Sequence, residues 1–272
     1  MVARPQTAVS GGTAAGPRPW TLSVDVGGSG IKATVLDAEG RPSTERVRVK
    51  TPQPSPPPTL VDAIADLAGT LPEADRVSVG FPGAVRDGVV LAAANLGGEE
   101  WRRCDLAAAL AERLRRPVRL LNDADVQGLA AIEGRGLEMV ITLGTGFGTA
   151  IFQDGRPAPH LELAHHPFRR GRTYEEQLGD KALKKVGRRK WNKRLRAAIA
   201  SLRSLVNFDR LYIGGGNARK VTGDLDPDVR LVSNEAGVLG GIALWRDEGV
   251  VELVRTAQPP APNPLTHGSA AT

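Results

Sequence analysis

Short apolar stretches recur along the chain, and three of the most regular run straight into glycine. Leu22-Ser23-Val24 leads into Asp25-Val26-Gly27-Gly28-Ser29-Gly30. Met139-Val140-Ile141-Thr142 leads into Leu143-Gly144-Thr145-Gly146-Phe147-Gly148-Thr149, and Leu211-Tyr212-Ile213 into Gly214-Gly215-Gly216. Apolar runs of this length, bounded by turn residues, predict strands at 21–25, 31–37, 77–81, 118–121 and 211–213. Val47 and Val49 alternate with charges and predict another at 46–50; 139–142 and 150–153 predict a hairpin around the second glycine turn. Longer segments rich in Ala and Leu, or with apolar residues spaced at helical period, predict helices at 60–71, 106–114, 126–133, 173–186, 190–206 and 234–247. The proline-rich run 52–58 reads as an extended connector. Strands alternating with helices place the chain in the α/β class. The two glycine-turn hairpins read as equivalent parts of two lobes with a site in the cleft between them. The expected division is a disordered tail over 1–19, an N-terminal lobe over 20–122 closed by the helix 234–247, a larger lobe over 123–233, and a flexible tail over 248–272.

Glycine lets backbone N–H groups crowd toward an anion with no Cβ in the way. One such turn, taken alone, is a tight hairpin like many others. Two of them carrying hydroxyl residues (Ser29, Thr145, Thr149), with a third glycine run behind, suit a phosphate chain gripped from opposite sides. That points to phosphoryl transfer.

A chain of 272 residues is long enough for two lobes. Its single cysteine, Cys104, excludes an internal disulfide and any multi-cysteine zinc site. No stretch is long and apolar enough to span a membrane, and the first 19 residues lack the apolar run of a signal peptide, so a reducing cytoplasm is expected. The net charge of +6 is concentrated. Thirteen basic residues lie between Arg169 and Arg203, opposed only by Glu175, Glu176 and Asp180. Charge runs on helices are usually solvated faces, but this density also suits a polyanion. Nucleic acid is not expected: only Trp191 and Phe208 offer stacking surfaces there.

Asn122-Asp123-Ala124-Asp125 follows a strand and opens a helix. Asp at such a junction caps the helix or faces a cleft; both readings stand on the residues alone. Glu162 and His165 form Glu-x-x-His, in which two residues alone do not hold a zinc ion.

The order Asp-x-Gly-Gly-Ser, Gly-x-Pro-Gly, Asn-Leu, Asn-Asp, Leu-Gly-Thr-Gly-x-Gly, Glu-x-x-His, Gly-Gly-Gly resembles the ROK family of sugar kinases and regulators, from about Thr21 to Asp247. Within it the chain is most similar to the polyphosphate glucokinases, which also lack the cysteine-rich zinc motif; Lys190-Trp191-Asn192-Lys193-Arg194 looks like theirs. The resemblance implies an actin-like ATPase (ribonuclease H-like) fold, glucose or mannose as acceptor, polyphosphate, ATP or both as donor, Mg²⁺, no structural zinc, and a homodimer. It makes Asp123 the base that takes the sugar proton. Gly83, Asn95, Asn122, Glu162, His165 and Glu175 become sugar contacts, with Glu176 the neighbouring alternative to Glu175. Asp25 would orient Mg²⁺ through water, and Gly27, Gly28, Ser29 and Gly30 would face the terminal phosphate. Lys32, near this turn, is either part of it or plain surface. Gly144, Thr145 and Gly146 form the second phosphate turn, and Gly214, Gly215 and Gly216 the adenosine side. Lys184, Lys185, Arg188 and Lys193 are the expected polyphosphate contacts. The family usually has Gly where this chain has Ala164, so a methyl is expected near the sugar. The rivals are an ATP-only kinase for another sugar or polyol, and a non-catalytic regulator.

Overall fold

The computed structural model describes residues 16–93, 96–232, 239–246 and 254–261. Two five-stranded sheets share one plan. The first contains β1 (Thr21–Gly27), β2 (Gly30–Leu36), β3 (Val47–Val49), β4 (Arg76–Phe81) and β7 (Val118–Asn122), in the order β3-β2-β1-β4-β7. The second contains β8 (Leu137–Leu143), β9 (Phe147–Gln153), β10 (Arg156–Pro157), β13 (Arg210–Gly214) and β14 (Val229–Leu231), in the order β10-β9-β8-β13-β14. In each, three strands form an antiparallel meander and two more add in parallel on the other side. β1 is buried on both faces over Thr21–Val26, as strands that receive crossover helices are. Those crossovers are α1 (Pro57–Ala68) between β3 and β4, and α2 (Leu106–Leu114) between β4 and β7.

Leu22, Val24, Val79 and Leu120 bury against Leu60, Ile64, Leu106 and Leu110 in one core. Met139, Ile141, Leu211 and Ile213 bury against Trp191, Leu195 and Leu202 of α5 (Asp180–Val206) in another. α3 (Asp123–Leu129) lies between the sheets and touches β1, β4, β7, β8 and β9.

Several elements differ from expectation. The connector 52–58 ends early because Pro57 and Pro58 are the first residues of α1; there the missing N–H costs nothing and φ is already helical. α3 starts three residues before the expected position, since Asn122 caps it by accepting the Ala124 N–H at 2.7 Å. The helix expected over 173–186 breaks at Gly179 into α4 (Tyr174–Leu178) and the start of α5, which runs on through the expected gap at 187–189 with a kink at Gly187, where φ is 76°. Short hairpins β5–β6 (Ala84–Arg86, Val89–Ala92) and β11–β12 (Pro167–Arg169, Arg172–Thr173) were not foreseen.

Of the expected closing helix, 239–246 is described: a tight turn at Gly240–Ile242 and α6 (Ala243–Arg246). The rest of it, like Asn95, lies outside the described residues. Trp245 is held between the Arg76 and Arg119 guanidinium groups, 5.0 and 4.3 Å from its ring, and donates to Ser78 Oγ at 2.8 Å. The turn presses on α3 so closely that a Cβ on Gly240 would sit 2.0 Å from the Val126 carbonyl oxygen.

Gly240→Ala therefore forces backbone apart rather than a flexible side chain. Overpacking of this kind costs about 1–3 kcal/mol or more. Urea denaturation should show that loss; unchanged stability would mean that the turn is not pressed against α3.

Candidate active site

Parallel strands β1, β4 and β7 bring their C-terminal ends together, the usual place for a site in such sheets. Asp25 lies near the end of β1, and Asp123 follows β7 with no intervening loop. Asp25 pairs across the hairpin with Lys32, whose Nζ is 2.7 Å from its carboxylate. Asp123 is half-buried. Burial, and then the negative charge of Asp25, push its pKa up to about 7, against the opposing pull of the Ala124 N–H and of His160. A carboxyl group at that pKa can both take and release a proton near neutrality. Beside it, the Asn122 amide donates to the Gly83 carbonyl at 3.0 Å and so holds the loop after β4 next to the base position.

A second set of polar groups starts two residues further along α3. Asp125, almost fully buried, faces His160: Oδ2 is 3.1 Å from Nδ1. The other ring nitrogen of His160 is 3.4 Å from Glu162 Oε1, and Glu162 Oε2 is 3.9 Å from His165 Nε2. Burial pulls the His160 pKa down, but hydrogen bonds to Asp125 and Glu162 outweigh it and raise it to about 10. The hydrogen bond from His160 in turn lowers the pKa of Glu162. These four side chains form a line of contacts; among the described residues no cluster of three or more His, Cys, Asp or Glu converges as a metal centre would. Ala164 is buried in the apolar core of the second sheet with Phe147 and Tyr174. Its methyl packs there.

The second glycine turn is tied to the third glycine run. Asn217 donates its backbone N–H to the Leu143 carbonyl at 2.8 Å and its side-chain amide to the Gly144 carbonyl at 3.2 Å. Gly215 has φ of 84°, and a Cβ there would lie 2.5 Å from the Leu143 carbonyl oxygen. Glu175 and Glu176 divide clearly. Glu176 closes a capping box with Thr173, whereas Glu175 Oε2 lies 2.5 Å from where a Cβ on Gly146 would be.

An open groove of about 610 Å³ adjoins the first glycine turn, lined by Gly28, Ser29, Arg48, Lys50, Thr51 and Gln53. Arg48 and Lys50 were missed in the sequence. The Arg48 guanidinium reaches over Gly30, where a Cβ would lie 2.7 Å from its Nε. In the basic segment, Lys184 pairs with Asp180 at 2.6 Å and Arg188 donates to the Lys220 carbonyl at 2.8 Å. Lys185 and Lys193 are exposed, with no ion pair among the described residues. Arg169 and Arg172 stand opposite one another in the β11–β12 hairpin, a like-charge pair that costs stability unless an anion lies nearby.

The ROK family pattern matches residues 21–160. A polyphosphate glucokinase from Mycobacterium tuberculosis is 30% identical over 240 residues, 85% of this chain and 88% of that protein. The chain belongs to the ROK family. The inorganic polyphosphate/ATP-glucomannokinase of Arthrobacter sp. strain KM is 31% identical, with a TM-score of 0.75 over 86% of this chain and all of that one. A ROK family glucokinase from Streptomyces griseus, solved with glucose and AMPPNP, shares the fold at a TM-score of 0.70 and 22% identity, over 83% of this chain and 98% of that one. The two sheets of this ROK chain are thus those of the actin-like ATPase fold, as the sequence resemblance implied.

The ROK fold brings Asp25, Gly83, Asn122 and Asp123 together, and links the 144–146 turn to the 214–216 run. Lys32, open between site and surface in the sequence, belongs with Asp25. Asp125 and His160 had no role assigned in advance.

The raised pKa of Asp123 has a sign that can be checked. A carboxyl whose folded pKa lies above its unfolded value is most stable protonated, so its ionisation weakens the fold as pH rises through about 7. Asp123→Asn removes that charge. The variant should melt higher than the parent at pH 8 and much closer to it at pH 5. An equal difference at both pH values would show that Asp123 ionises normally.

Proposed function

We propose that this ROK-family sugar kinase transfers a phosphoryl group from inorganic polyphosphate or ATP to the 6-hydroxyl of glucose or a close hexose such as mannose. The observation that carries the proposal is the placing of Asp123, directly after β7 at the C-terminal end of the first sheet, where Asp25 leads β1 into the first glycine turn. In the proposed reaction Asp123 takes the proton of the 6-hydroxyl as that oxygen bonds to the terminal phosphorus. The bond from that phosphorus to its bridging oxygen breaks, and the electron pair leaves with the shortened phosphate chain or with ADP. Asn122, Gly83, Glu162, His165 and Glu175 line the acceptor side, and the two glycine turns offer N–H groups to the donor.

A divalent ion fits this site. Asp25 near the end of β1 and Asp123 at the start of α3 bring two carboxylates to one end of the sheet, and a hard cation suits oxygen donors. Asp25 would hold Mg²⁺, through water, where the ion would supply positive charge against the donor phosphates.

Two features bear on the donor. The glycine run 214–216, tied to the second turn, suits a nucleotide. The Arg48–Lys50 groove and the exposed Lys185 and Lys193 suit a longer anion, in keeping with the names of the relatives. A panel of sugars assayed with polyphosphate and ATP in parallel tests the proposal directly. Turnover with neither donor on any hexose would refute it.

Asp123→Asn should lower turnover by ~10²–10⁴-fold with either donor, as loss of a general base does. In the parent, kcat/KM should rise with pH to a plateau above about 7, because the base works ionised. A flat profile from pH 5 to 9 would remove Asp123 from proton transfer.

Charge reversal separates the donors. Lys185→Glu with Lys193→Glu should raise the polyphosphate KM much more than the ATP KM, and the polyphosphate KM should climb steeply with salt. Equal change with both donors would place the segment in the support of the fold.

A further inference from the structure

His160 is almost fully enclosed, with 6% of its side chain exposed, and so is its neighbour Asp125, with 5%. Its two ring nitrogens reach carboxylates on different elements. Nδ1 lies 3.1 Å from Asp125, which is fixed in the first turn of α3 two residues from Asp123. Nε2 lies 3.4 Å from Glu162, which belongs to an irregular segment. An imidazole with a carboxylate at each nitrogen is held with both nitrogens protonated, and each then donates one hydrogen bond. The ring is rigid, so it fixes the distance between its two partners. Glu162 differs from both: its side chain is 37% exposed, and a glutamate has three torsions free to move unless something holds it. The chain of contacts runs from the helix that carries Asp123 to the carboxylate that faces the acceptor side.

We infer that His160 is a positioning residue, a clamp that fastens Glu162 to Asp125 on α3 and so sets the sugar-facing carboxylate at a constant place relative to Asp123. The inference rests on Glu162 meeting the sugar, as proposed above. The clamp touches no phosphate, so its loss weakens acceptor binding and leaves the donor untouched. Asp125 serves as its anchor, and its second oxygen is buried without a hydrogen-bond partner among the described residues, which leaves the carboxylate committed to the histidine.

Steady-state kinetics on the full chain with ATP and glucose test this through His160→Ala, His160→Gln, Glu162→Gln and the double variant His160→Ala/Glu162→Gln. His160→Ala should raise the glucose KM about tenfold, the size of one lost charge-assisted hydrogen bond, and change the ATP KM less than about twofold. The double variant should be no worse than Glu162→Gln alone, because both act through one carboxylate. His160→Gln, which keeps a polar group in place, should fall between parent and alanine, and it carries the comparison if the alanine variant does not fold. Nitrogen-15 spectra of the parent should show both ring nitrogens of His160 protonated at pH 8, facing Asp125 and Glu162. Glucose and ATP KM values that rise together, additive losses in the double variant, or a singly protonated ring at pH 8 would each overturn the clamp. If Glu162→Gln raises the glucose KM while His160→Ala does not, the clamp alone is lost. If Glu162→Gln leaves the glucose KM unchanged, the sugar-site assignment fails and the clamp falls with it.

Discussion

Helix α3 is wedged between two sheets and a glycine turn, and that wedge fixes where the reactive groups of the molecule stand. Its first residue, Asp123, follows β7 directly, its third, Asp125, faces His160, and the Val126 carbonyl bears on Gly240. Each contact is backbone against backbone or a short side chain against a partner, so little can adjust. Both cores press on the same helix from opposite sides: β4 and β7 from the first sheet, β8 and β9 from the second. The Arg76–Trp245–Arg119 stack then fastens the turn that closes over it.

The electrostatics follow from that seat. Two carboxylates, Asp25 and Asp123, share one end of a sheet where an anionic donor is proposed to arrive. Alone they would repel it. Lys32 answers Asp25, and Arg48 with Lys50 lines the groove beyond. Glycine N–H groups supply further positive potential without adding titratable charge. The acid groups proposed for proton and metal work thus sit within a field suited to the proposed phosphate donor.

Much of the fold was legible because strand ends and glycines carry local signals. Helix α2 runs over the residues its apolar spacing marks, and both glycine-turn hairpins lie where the apolar runs and their glycines placed them. The start of α3 was legible as a strand-to-helix junction but was placed at 126, since Asp123 and Asp125 lack apolar periodicity and the cap, Asn122 accepting the Ala124 N–H, lies one residue before Asp123. The kink at Gly187 falls in the gap left between the helices expected at 173–186 and 190–206, whereas the break at Gly179 was not foreseen. Strands β10 and β12, two residues each, are too short to show alternation. In the site, Lys32 had a usable signal: counting outward from the turn at Gly28-Ser29 places it opposite Asp25. His160 had none, because its partner Asp125 is 35 residues away and reaches it only through the packing of two sheets.

The direct join of β7 to α3 makes chain length at this point unforgiving. A helix advances about 100° per residue. One residue inserted between Asn122 and Asp123 would leave the cap and the strand intact yet turn every following side chain by that angle. Asp123 would swing away from Asp25, and Asp125 away from His160, in a single step. Substitutions here can be graded, but insertions cannot. The junction is thus a place where natural variation must proceed by exchange of residues and never by gain or loss of one, and where a length change in any variant library marks a chain that has abandoned this arrangement of carboxylates.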